Sequence, residues 1–143
     1  MPDIEHPMTL RLGDHIEFLG YGMNPTAHPG QVLPITLHWR ALSEVGVSYT
    51  VFVHLLDEAG NIVAQQDIQP GMGSLDTAGW AAGEYIIDAH EIALDSGLPP
   101  GAYRIAIGMY DPQTGARLAV SNPDGQIVGD RILLPSPAQI MQK

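Results

Sequence analysis

The strongest constraint on this chain is the spacing of its apolar residues, which recur at every second position rather than every 3.6. In "VLPITLHW", Ile35, Leu37 and Trp39 fall on one face and Thr36 and His38 on the other. In "TVFVHLL", Val51, Val53 and Leu55 alternate with Phe52, His54 and Leu56, so this strand is apolar on both sides and is expected to be central. In "YRIAIGMY", Tyr103, Ile105, Ile107 and Met109 share a face. Between such runs lie "NPTAHPG", "DEAGN", "DSGLPPG", "DPQTG" and "NPDG", each joining Gly or Pro to Asn, Asp or Ser. The pattern predicts strands near 10–21, 32–41, 48–57, 61–68, 84–94, 102–111, 116–121 and 126–134. No helix is required, although "GSLDTAGW" accommodates a helical turn. The expected fold is all-β: an antiparallel β-sandwich of immunoglobulin-like or jelly-roll type with about 7–9 strands. The expected organisation is an N-terminal extension over 1–9, one sandwich domain over 10–134, and a tail over 135–143 reading as linker or frayed terminus.

One sentence is written twice. "YTVFVHLLDEAGNIVAQ" begins at Tyr49 and "YRIAIGMYDPQTGARLAV" at Tyr103. Asp57 to Gly60 and Asp111 to Gly115 read as tight turns, with Asp bonding the backbone ahead and Gly free to take positive φ. The repeat therefore reads as two β-hairpins, in corresponding places in the two halves of a sandwich, rather than as a duplicated site. "PGQ", "AGE" and "PGA" precede the strands at Val32, Tyr85 and Tyr103, which suggests three chain reversals at one end.

Composition sets the outer limits. Six Lys+Arg stand against sixteen Asp+Glu, a net charge of −10 that repels phosphate backbones and anionic lipid, so nucleic acid is not an expected partner. The absence of Cys excludes disulfides, thiol catalysis and Cys-type zinc sites. No apolar run approaches about 18 residues, so no membrane span is expected. "MPDIEHPMTL" has neither the basic start nor the apolar stretch of a signal peptide.

Taken together, "HIEFLGYGMNPTAHPGQVLPITLHWRAL", "YTVFVHLLDEAGNIVAQQD" and "GEYIIDAHEIALDSGLPPGAYRIAIGMYDPQTGARLAV" resemble a bacterial β-domain. The chain is similar, over roughly 10–134, to the C-terminal extracytoplasmic domain of multi-spanning membrane glycosyltransferases of the mannosyltransferase-like type. The resemblance implies an accessory β-sandwich module of a larger, membrane-anchored protein, placed outside the cytoplasm. It supplies no catalytic residue, because transferase chemistry in such proteins belongs to the membrane portion.

Chemistry-bearing residues point the same way. His38 and His54, if on one outward face of neighbouring strands, would offer two metal ligands where three or four are needed. "HEIAL" at His90 lacks the second His of HExxH, since Leu94 stands there. No GxSxG surrounds any Ser, and "GMGSLD" lacks a phosphate-loop Lys. Asp57, Glu58, Glu84 and Asp111 are the candidates for a glycosidase carboxylate pair. Asp57, Asp111, Asp124 and Asp130 are the oxygen donors for calcium, though none follows a calcium-loop pattern. The expectation is no enzyme, no metal and no cofactor. The alternative to a packing or spacing module is a carbohydrate-binding module in which Trp80, Tyr85, Tyr110 and Tyr21 form an aromatic platform for a glycan. The less favoured third reading is a small glycoside hydrolase. A homodimer through an exposed strand edge is a further expected mode of partnership.

Overall fold

The computed structural model describes residues 4–142. Alternation becomes layering most plainly in β4 (Val32–Ala41), where Leu33, Ile35, Leu37, Trp39 and Ala41 are buried and the residues between them face outward. Before it come β1 (His6–Leu12), β2 (Ile16–Met23) and the short β3 (Thr26–Ala27). After it come β5 (Thr50–Leu56), β6 (Ile62–Ile68), a 3-10 turn at Thr77–Gly79, β7 (Tyr85–Ala93) and β8 (Gly101–Tyr110). The chain finishes with β9 (Val120–Ser121), β10 (Ile127–Gly129), β11 (Ile132–Leu133) and β12 (Ala138–Ile140).

One sheet has the order β10-β9-β1-β2-β4-β7. The other has the order β3-β12-β8-β5-β6, with β11 also paired to β8. In immunoglobulin lettering, β2, β4 and β7 stand as A, B and E, and β5, β8 and β11–β12 as C, F and G, with β6 beside C. This order is immunoglobulin-like and excludes the jelly roll. Twelve strands replace the expected seven to nine because A and G are broken into pieces and the F–G connection contributes β9 and β10.

The core lies between the inner faces. Val51, Val53, Leu55, Ile105, Ile107 and Met109 from one sheet meet Phe18, Leu37, Trp39 and Ile92 from the other, all fully buried. Tyr103 donates its hydroxyl to the Pro99 carbonyl at 2.6 Å, pinning the start of β8 to the corner that precedes it. This is the tyrosine corner of Greek-key sandwiches.

The two repeated segments do begin as strand and tight turn. Gly60 N–H donates to Asp57 O at 3.0 Å and Gly115 N–H to Asp111 O at 2.7 Å, and both glycines hold positive φ. Their placement differs from expectation. β5 and β8 are neighbours in one sheet, with Val51 opposite Met109, Val53 opposite Ile107 and Leu55 opposite Ile105. The second hairpin is also incomplete. After a single bridge between Tyr110 and Arg117, the chain crosses to the other sheet, where β9 pairs with β1.

Other boundaries move as well. The strand expected over 10–21 is a hairpin of β1 and β2, and β1 starts within the expected N-terminal extension. The strands expected over 116–121 and 126–134 shrink to β9, β10 and β11. Within the expected tail, β12 is a strand whose Ala138 and Ile140 are buried; it pairs antiparallel with β8 and parallel with β3. Of the three Gly-containing corners, those before Val32 and Tyr103 share one end, where Pro29, Pro99 and Pro100 line a common basin. The corner before Tyr85 lies at the other end, because β4 and β7 run antiparallel with Arg40 opposite Tyr85.

Candidate functional site

Strand β7 alternates Ile86, Asp88, His90 and Ile92 toward the core, so two ionisable groups take positions the pattern reserves for apolar ones. Both are sealed from solvent. Asp88 Oδ1 accepts the Gly71 N–H at 2.7 Å. Its Oδ2 accepts the Trp39 indole N–H at 3.0 Å and faces His90 Nε2 at 2.6 Å. His90 Nδ1 lies 2.9 Å from Gln66 Oε1, whose orientation is fixed because the same oxygen accepts the Glu91 N–H. Both ring nitrogens therefore face acceptors, and a ring protonated at each one donates to both. The network fastens edge strand β7 to edge strand β6 and closes one side of the sandwich. A buried, fully hydrogen-bonded carboxylate–imidazole pair of this kind organises structure; no substrate reaches it.

The outer faces carry the reachable polar groups. On the A-B-E sheet, His38 Nδ1 is 2.7 Å from the Tyr85 hydroxyl. Burial lowers the His38 pKa and raises that of Tyr85. On the opposite sheet, Phe52 lies over Gly108, leaving no room for a Cβ there. The Arg117 guanidinium stacks on the Phe52 ring at 4.4 Å, and Tyr110 flanks it. Tyr110 donates its hydroxyl to Asp67 Oδ2 at 3.0 Å, and Gln65 Nε2 approaches Asp67 Oδ1 at 3.4 Å. His54 stands between these groups, with Nε2 3.9 Å from Asp67 Oδ1, beyond hydrogen-bonding range. Its pKa is lowered, first by burial and then by Arg117 and Arg131, against an opposing pull from Asp67. Burial and the bond to Asp67 raise the pKa of Tyr110.

The expected aromatic platform does not assemble. Trp80 is a core plug, 2% exposed, with its indole N–H donated to Leu75 O at 2.9 Å. Tyr21 is fully buried, stacked on His6, and its hydroxyl accepts the Ser136 N–H. Tyr85 and Tyr110 sit on opposite faces of the sandwich. His38 and His54 are likewise separated, on the outer faces of different sheets rather than on neighbouring strands. Among the described residues no group of three or more His, Asp or Glu side chains is placed to hold a metal.

Three of the four carboxylate candidates are committed to turns. Asp57 Oδ1 accepts the Asn61 N–H, Asp111 Oδ1 the Gln113 N–H and Glu84 Oε1 the Ala81 N–H. Asp57 and Glu58 border a shallow depression of about 190 Å³ beside Pro100 and Tyr103. A larger basin of about 510 Å³, between Pro29 and the Ser96–Pro100 corner, has no ionisable residue in its wall. Sequence reasoning missed the Asp88–His90 pair, though the signal was present: both residues are in phase with Ile86 and Ile92. It also missed the cluster of His54, Gln65, Asp67 and Tyr110, which only strand pairing brings together.

No protein-family model matches the chain, and no curated protein matches it by sequence. Similar solved structures do exist. The C-terminal domain of wzt aligns over 96% of this chain and 81% of its own, with a TM-score of 0.63 at 11% identity. The Niemann-Pick type C2 protein of the Japanese carpenter ant aligns over 99% of both chains, with a TM-score of 0.51 at 8% identity. The β-glucosidase of Listeria innocua, in complex with isofagomine, aligns over 90% of this chain but only 16% of its own, with a TM-score of 0.50 at 14% identity. At such identities the likeness shows the β-sandwich fold. Attachment to a glycosyltransferase has no counterpart among these three.

Proposed function

We propose that this chain is a non-catalytic accessory β-sandwich module of a larger bacterial protein, working outside the cytoplasm beside a membrane glycosyltransferase-type portion. There it packs against, spaces or presents a recognition face to its partners. The observation that carries this reading is the fate of the ionisable groups. The Asp88–His90 pair is sealed in the core, and of the carboxylates suited to acid–base work Asp57, Glu84 and Asp111 each cap a turn. Acid–base catalysis needs a group that can reach a substrate. Recurrence of the fold as one domain of wzt, and within 16% of a β-glucosidase chain, supports a modular role.

Two measurements test it. The protein is expected to release no chromophore from nitrophenyl glycosides; turnover abolished by Glu84→Gln or Asp57→Asn would overturn the reading in favour of a hydrolase. The full-length gene is expected to encode membrane-spanning helices ahead of this segment, and a gene lacking them would remove the proposed attachment.

A further inference from the structure

The outer face of the sheet built from β6, β5, β8 and β11 carries side chains in rows fixed by strand pairing. In one row Asp67 lies opposite Phe52, and Phe52 opposite Gly108. In the next, Gln65 lies opposite His54, His54 opposite Ala106, and Ala106 opposite Leu133. The small residues at 106 and 108 leave the imidazole and the carboxylate as the prominent polar groups.

His54 is the anomaly of this face. Its side chain is 8% exposed, yet among the described residues neither ring nitrogen has a hydrogen-bond partner. No fully enclosed side-chain polar atom among those residues lacks a partner, so the His54 nitrogens are reached from outside. Polar atoms open to the surface take their hydrogen bonds from whatever lies above them. The gap to Asp67 suggests what that is. An oxygen set beside the 3.9 Å line between Nε2 and Oδ1 can stand about 2.8 Å from both, a normal hydrogen-bond length. A hydroxyl, of a sugar as of water, meets this need, because it donates to the carboxylate while accepting from the imidazole.

We propose that this face is a glycan-binding site in which a sugar hydroxyl bridges His54 and Asp67, with neighbouring hydroxyls meeting Gln65, the Tyr110 hydroxyl and Arg117. The patch mixes donors and acceptors and balances Arg117 and Arg131 against Asp67 and Asp130. That mixture suits a neutral polyol better than an ion of either sign. Leu133 and Ile62, both about half exposed, supply apolar surface for the C–H faces of sugar rings. The site shares Tyr110, and no other residue, with the aromatic platform expected from sequence, and the inference rests on the accessory-module reading.

Calorimetric titration with soluble α-mannan, laminarin and dextran tests it, alongside histidine-selective NMR. Binding heat with at least one polymer is expected, with displacement of the His54 ring signals. His54→Ala and Asp67→Asn should each weaken binding about tenfold, the loss of one good hydrogen bond. Glu84→Gln, at a remote turn, should leave it unchanged, and circular dichroism checks that each variant is folded. If none of the three polymers gives heat or moves the His54 signals, an ordinary water fills the gap and the proposal fails. Binding of polygalacturonate alone would assign anion recognition by the arginines and overturn the hydroxyl bridge. Neither failure touches the module reading, which stands or falls on glycoside turnover and gene context.

Discussion

Asp88→Asn isolates the buried network with almost no change in volume. The carboxylate serves three groups: the Gly71 N–H, the Trp39 indole N–H and His90 Nε2. An amide offers one oxygen and one NH2. If the oxygen keeps Gly71, the NH2 can donate to a His90 that has shed its Nε2 proton while Nδ1 still donates to Gln66. The Trp39 indole then faces a donor and is left unpaired in a sealed position. A buried donor in that state costs about 1–3 kcal/mol. With a urea m-value of about 1–3 kcal/mol/M, a loss near 2 kcal/mol moves the unfolding midpoint down by roughly 1 M. Asp88→Ala, which strands the whole set, should cost more, about 3–5 kcal/mol. Equilibrium urea unfolding followed by tryptophan fluorescence reads both. The cycle with Trp39→Phe assigns the cause, because without the indole N–H the Asp88→Asn penalty should shrink by about 1 kcal/mol or more. A midpoint for Asp88→Asn within about 0.2 M of the parent, or an equal penalty in both backgrounds, would refute the reasoning.

Three further outcomes are expected. Gly108→Ala drives a methyl into the Phe52 ring and should cost about 1–3 kcal/mol in the same assay, with the Arg117 stack disturbed as seen in NMR shifts. Tyr103→Phe removes the hydroxyl from Pro99 O and should lower stability by about 0.5–1.5 kcal/mol; no loss would deny the corner a role. Burial lowers the His38 and His54 pKa values in the folded state, so the unfolded chain takes up protons first as pH falls through about 6.5. Stability is therefore highest above that pH and declines below it, until the folded-state values are passed. Thermal melts between pH 7.5 and 5 should show this slope, and His38→Gln with His54→Gln should flatten it.

Long strands were legible because one physical rule decides them. β4, β5, β6, β7 and β8 fall within a residue or two of expectation, and Val51, Val53, Ile105 and Ile107 are all hidden. Short strands were not legible. Two- and three-residue pieces such as β9 and β12 exist because a partner edge is present, and their own residues carry too little pattern to announce it. Turn chemistry was clear in "DEAGN" and "DPQTG" but underweighted in "GDH" at 13–15, where β1 folds back into β2. The polar features failed for a different reason. Trp80 reads in sequence as a plug over the core edge or as part of a platform, and Tyr21 as part of that platform; each hides its ring and satisfies its polar atom on backbone. His54 and Asp67, thirteen positions apart, become neighbours only once β5 and β6 pair in their observed register.

The place of β12 has a consequence for biosynthesis. Among the described strands it is the last to be made, yet it slots between β3 and β8, both made earlier. Until residue 140 emerges, both of those flanks stay bare, and Ala27 and Tyr103 lack their lid. Completion must therefore await the end of translation of this segment, and a nascent chain stalled a few codons short would present open backbone to chaperones or to its neighbours on the same message.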